Sequence, residues 1–280
     1  MAIAAPPPVP SPASSPPAAP PAAKVSPPAP PAKPPPPPRT GVIEDSGVVR
    51  RDSVHALRWT SRGRTKVLAE ADTGTALLVG GTAIGGSFTA DSVRSEGDLE
   101  VGGALSLMGA IVSSGNLRVR GIVHVGDGEL RDRSRFDGAV RVDRALTVHG
   151  LFVAPSLKAG EFSLDGVAEI DGAVDAGRVT ARFRGPSHIG SIQAKSVILR
   201  VRAPNPVEMV LGRNLAVPIA RIEAEMVDLE GVNVRFVRAR EIVLGRGTHV
   251  TELEGHVVRR HASARVGPES RSPPPHGLTR

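Results

Sequence analysis

The chain has 280 residues and a formal net charge of +7, with no cysteine and only 2% aromatic residues (six Phe, one Trp, no Tyr). These counts exclude a disulfide scaffold, a thiolate metal site and a cysteine nucleophile, and they leave too few rings for a stacking platform on single-stranded nucleic acid. No apolar stretch approaches the roughly 18 residues of a membrane span, and Met1 to Pro6 lack the basic-then-apolar plan of a secretory signal, so the expectation is a soluble, cytoplasmic protein that touches a membrane at most at its surface.

Residues 1–40 hold 18 of the 27 prolines, three cationic residues (Lys24, Lys33, Arg39) and no acid. Such a segment cannot build a core and is expected to be a disordered, semi-stiff polyproline II tail. The run Pro34 to Pro38 before Arg39 suits either an aromatic groove on a partner or a plain spacer. Residues 256–280 are read as a second disordered, basic tail, with five Arg against one Glu. The two tails carry the whole net charge and the body between them is balanced, which weakens any reading as a specific nucleic-acid binder.

Residues 41–76 read as a basic transition segment. Arg50, Arg51, Arg58, Arg62 and Arg64 surround the lone Trp59. That set could lie on an anionic membrane surface or another polyanion. The alternative is that Trp59 and Val54 close one end of the core that follows, with the arginines in water.

From Leu77 the texture becomes a repeat, and residues 77–255 are assigned to it. The word is apolar-x-apolar-x-Gly, as in Leu99-Glu-Val-Gly-Gly103, Leu117-Arg-Val-Arg-Gly121, Leu146-Thr-Val-His-Gly150 and Phe162-Ser-Leu-Asp-Gly166. Spacings of 16 to 18 residues are the commonest, and the gap from Val197 to Val227, with Pro204, Pro206 and Pro218, interrupts the rhythm. Alternation of period two marks strands, and a fixed longer period marks stacked repeats. The fold class is therefore all-β, a single-stranded β-helix or β-solenoid, preferred over a β-sandwich because one word persists in register. One coil cannot bury enough surface to stand alone, whereas stacked coils share a ladder and a core. About ten coils at ~4.8 Å make a rod of about 48 Å.

No amphipathic capping helix is visible at either end of the repeat. Open ends expose unpaired strand edges, which favour pairing with another copy. The expected self-association surfaces are Leu77 and Val79 at one end, and Val243, Leu244, Val250 and Leu253 at the other.

The segment Leu77 to Gly121, LLVGGTAIGGSFTADSVRSEGDLEVGGALSLMGAIVSSGNLRVRG, resembles the bactofilins, polymer-forming cytoskeletal proteins; the Pro-rich end before a central repeat domain is also similar. The resemblance implies a right-handed β-helix, nucleotide-independent, nonpolar filament assembly, no cofactor and no catalysis. Its implied partners are further copies of the chain, the membrane and envelope-associated proteins positioned by the filament.

The competing reading is a left-handed hexapeptide-repeat enzyme, acyltransferase-like and trimeric. Leu99, Leu105, Ile111, Leu117 and Val123 do recur every six residues. Its catalytic histidine would be His124 or His149. Metal ligation is unsupported, since among eight histidines only His256 and His261 fall close together. Glu223 and Glu225 share one strand side, but no opposing acid can be placed for glycoside hydrolysis.

Overall fold

The computed structural model describes residues 38–202 and 217–267. Most of the Pro-rich segment, including Pro34 to Pro37, lies outside the described residues, as do Pro204, Pro206 and the last part of the basic tail.

The described chain is a parallel β-solenoid of about 12 turns, without a helix. Its strands are β1 (Val42–Arg51), β2 (Val54–Val67), β3 (Ala71–Ile84), β4 (Phe88–Glu96), β5 (Leu99–Val101), β6 (Leu105–Ser114), β7 (Leu117–Val119) and β8 (Val123–Phe136). They continue as β9 (Val140–Ala154), β10 (Leu157–Phe183), β11 (His188–Val201), β12 (Pro218–Glu230), β13 (Asn233–Leu244), β14 (His249–Arg260) and β15 (Arg265–Val266). Among the described residues no helix is long and apolar enough to cross a membrane.

Each coil has three inward pairs at positions i and i+2. In one coil these are Phe88 and Ala90, Val93 and Ser95, Leu99 and Val101, all buried. The next coil repeats them as Leu105 and Leu107, Ile111 and Ser113, Leu117 and Val119, joined rung to rung by parallel pairing. Alternation sends the intervening residues to solvent. Val, Ile and Leu dominate the inner columns because branched side chains pack well on a pleated surface. Between columns, across the core, Phe152 packs against both Phe136 and Phe162, with ring centroids 5.5 and 5.8 Å apart.

The corners explain the glycines. Gly63, Gly80, Gly97 and Gly115 succeed one another at one corner with φ of +121°, +102°, +135° and +124°. A Cβ on Gly80 would lie 2.4 Å from the carbonyl oxygen of Gly63. Glycine meets both demands there, a left-handed turn and a close backbone approach. Asp132, at φ +64°, takes that corner in the coil between Gly115 and Gly150.

The ladder begins earlier than Leu77 and ends later than Glu254–Gly255. β1 and β2 are full members, with Ile43 opposite Trp59 and Trp59 opposite Ala76. The segment 41–76 is thus coil rather than transition, and Val54 and Trp59 are fully buried, as the core-closing reading expected. At the other end β14 and β15 carry the ladder to Val266, into the segment read as tail. The interruption is also narrower than 204–226. β11 pairs with β12 across it in register, Val197 opposite Val227 and Leu199 opposite Leu229.

Candidate functional site: the two terminal coils

Among the described residues, β1 pairs with β2 alone, β15 with β14 alone, and most of β14 with β13 alone. Each end of the solenoid is therefore a strand edge with backbone groups facing outward along the axis.

The N-terminal end is closed by charge. Asp45 and Arg51 stand in inward columns, opposite Ser61 and Val67 of the next coil. The Arg51 guanidinium donates to Asp45 from Nη2 at 2.6 Å and from Nε at 3.0 and 3.1 Å. The Trp59 indole N–H donates to the other side of the same carboxylate at 3.0 Å. Burial pushes the Asp45 carboxyl up, but the Arg51 and Trp59 hydrogen bonds and the Arg51 charge outweigh it, so its pKa lies below the ordinary carboxylate value. The same hydrogen bond raises Arg51, with burial opposing. A carboxylate with three donors around it is satisfied as an anion.

On the flank of this end, Arg39 donates to Asp72 at 2.9 Å and to Asp91 at 2.8 Å. Both bonds hold its guanidinium above the ordinary value. The Gly41 carbonyl oxygen accepts from the N–H groups of Leu57 and Arg58, which fixes the chain as it enters β1.

The C-terminal end also carries a cation in an inward column. Arg260 stacks on Leu244, Arg259 on Val243, and Val257 on Ile242. The Arg260 Nη2 donates to the Ala264 carbonyl oxygen at 3.3 Å. Ala264 is buried and Val266 is half-buried beside it.

These ends differ from the apolar ones expected. Leu77 and Val79 lie in β3, with strands on both sides, and they point outward half-buried. Leu244 is a core residue under Arg260 of the last coil, and Val243 is half-buried on the outer face, whereas Val250 and Leu253 are buried inward residues of the edge strand β14 itself, Val250 under Val266 and Leu253 paired on one side only, with Val237, among the described residues. The terminal coils were hidden because their inward positions are polar. Asp45, Ser61 and Thr65 break the apolar-x-apolar word. The signal that could have found them is the glycine corner, since Gly47, Gly63, Gly80 and Gly97 keep a step of 16 or 17.

The basic set around Trp59 is dispersed. Trp59 is fully buried, edge-on to Phe88 with centroids 6.2 Å apart. Arg51 points inward to Asp45. Arg50 and Arg64 line one shallow groove with Lys66, where small Gly81 and Ala83 separate them from Asp98 and Glu100. Arg62 is exposed on β2 near that groove, and Arg58 lines a different hollow with Leu77 and Arg94. Trp59 and Arg51 are thereby removed from the surface contact proposed for the set.

The remaining candidates sit on open flanks. His124 Nε2 is 3.1 Å from both carboxylate oxygens of Asp143, with each side chain about half exposed. Asp143 is lowered by the His124 hydrogen bond first, with the Arg141 bond adding to it. His149 is exposed on β9. Glu223 pairs with Arg221, while Glu225 is exposed. His256 is exposed on β14 and His261 bonds to Ser263. No cluster of potential metal ligands occurs among the described residues.

No protein-family model, curated protein or solved structure matches the chain.

Proposed function

We propose that this chain is a structural scaffold that self-associates through its terminal coils into filaments without a nucleotide. The observation that supports this most is that, among the described residues, β1 and most of β14 have a partner strand on one side only, at opposite ends of a single parallel ladder. An edge of this kind is a template for another chain. The likeness of Leu77 to Gly121 to bactofilins supports the same reading. In this reading the Pro-rich N-terminal and basic C-terminal segments recruit partners, either an anionic membrane surface or envelope-associated proteins, and the filament positions them.

Sedimentation velocity and negative-stain electron microscopy of the purified full chain test the proposal. Filaments at micromolar concentration, unchanged by adding or chelating nucleotide and Mg²⁺, are the expected result. A single monomer peak at all concentrations would sink it. Discrete trimers would favour the hexapeptide-repeat enzyme instead.

A further inference from the structure

The columns of the ladder can be followed from one end to the other. The column through Glu44 passes Thr60, Leu77, Arg94 and Val112 and finishes at Val243 and Arg259. Its neighbour through Asp45 passes Ser61, Leu78, Ser95 and Ser113 and finishes at Leu244 and Arg260. An acidic dipeptide thus opens the same two columns that a basic dipeptide closes. The adjoining columns carry Ile43 at one end and Val257 at the other, both packed on the core.

We infer that the partner of each end is the opposite end of a second copy, so that assembly is head-to-tail and the filament is polar, in departure from the nonpolar assembly that the likeness to bactofilins implies. The inference rests on the self-association proposed above. A copy stacked on the last coil with the ladder continued in register sets Glu44 over Arg259, Asp45 over Arg260 and Ile43 over Val257. The parallel hydrogen-bond pattern then runs on without a change of sense. Opposed contacts lack this complementarity: a C-to-C junction brings together two end faces that both carry Arg259 and Arg260, and an N-to-N junction two that both carry Glu44 and Asp45. Like charges directly opposite on neighbouring strands are destabilising. The continued stack has one such pair, Arg50 over Arg265, and both side chains are exposed, where solvent screens them. Asp45 keeps Arg51 and Trp59 in this arrangement, since its third partner arrives along the axis.

The chain contains no cysteine, so an engineered pair reads the junction directly. Val42 and His256 are both exposed and belong to one column, which carries Arg58 and Thr75 near its start and Glu241 before its end. At a continued junction they stand about 4.8 Å apart, within the Cα range of a disulfide, about 4.4–6.8 Å. In one chain they are separated by the whole rod, about 55 Å for the turns present. Mild oxidation of the Val42→Cys/His256→Cys double variant should give a ladder of covalent multimers on a non-reducing gel, with each single variant staying monomeric. Covalent dimers from either single variant would overturn head-to-tail stacking and leave self-association standing. So would a double variant that forms filaments but no covalent ladder. Failure of the unmodified chain to assemble at all would remove both readings. As a second probe, Glu44→Arg and Arg259→Glu should each raise the concentration needed for assembly about tenfold, and combining them in one chain should restore it to within about threefold. A combined variant no better than the single ones overturns the register.

Discussion

A Cβ at Gly97 would meet the Gly80 carbonyl oxygen at 2.4 Å, and the backbone there is left-handed. Gly97→Ala should therefore cost more than about 1 kcal/mol, read as a fall in urea midpoint. Asp132 occupies the same corner at φ +64°, a value aspartate tolerates better than most residues. Asp132→Gly is expected to stay within about 0.5 kcal/mol of the parent, because relief of the left-handed turn offsets the added chain entropy. The buried hydroxyls beside this corner divide into two kinds. Ser61 and Thr65 share a 2.6 Å hydrogen bond, so Ser61→Ala should lose about 1 kcal/mol. The Ser113 hydroxyl is buried without a protein partner. Ser113→Ala should leave thermal stability unchanged or raised, since it removes an uncompensated polar group from the core.

At the scale of the coil, the first rung depends on Asp45. Its folded pKa is lowered, so the stability it contributes is present above the unfolded value of about 3.9 and is lost as pH falls through the folded value. Trp59 is the only tryptophan and donates to Asp45, which makes its fluorescence a local reporter. On acidification below about pH 4 the Trp59 emission should shift to the red before far-UV circular dichroism falls. Asp45→Asn should abolish that early phase. A second element-scale prediction concerns the interruption between β11 and β12. In an ordinary coil Ser95 and Leu99, both inward, are joined by Glu96, Gly97 and Asp98. Deleting residues 203–216 joins Leu199 to Val217 through Arg200, Val201 and Arg202, the same number of steps. With Val201→Gly added for the corner, the deletion variant should keep its β-sheet circular dichroism and melt within about 5 °C of the parent, because β11 and β12 already pair in register and chain-closure cost changes only slowly with length. How much of this was legible follows from the same residues. The middle coils announced themselves because Leu99, Val101, Leu117, Val119, Leu146 and Val148 keep apolar alternation and a glycine follows. The terminal coils did not, because a rung that faces solvent on one side tolerates Asp45, Arg51 and Arg260 in columns that carry Leu and Val elsewhere. Hydropathy alone therefore placed the ends at the last apolar words, Leu77 and Leu253. The sequence offered Trp59 both as a surface contact and as a core residue, and its pairing with Ile43 and Ala76 decides for the core.

Over the whole molecule, the charges of Asp45 and Arg51 at one end and of Arg259 and Arg260 at the other would make the proposed self-association an electrostatic matter more than an apolar one. Inward-pointing charge on an edge strand discourages indiscriminate pairing, and complementary charge restores one partner. Filament length should therefore shrink as NaCl rises from about 0.1 M to 1 M, where the Debye length falls from about 10 Å to about 3 Å. Apolar end faces would respond in the other direction or not at all. Turbidity and electron microscopy across a salt series distinguish the two. Because each rung contacts only its neighbours, changes in the middle of the stack should alter stability without altering this salt response.

The clasp of Arg39 on Asp72 and Asp91 has a mechanical consequence. A pull applied ahead of Arg39 would meet this clasp before it reached β1, and the load would pass to β3 and β4 on the flank rather than to the edge strand alone. In the proposed filament, tension on that side of the subunit would thus be taken up along the wall and kept away from the junction between copies.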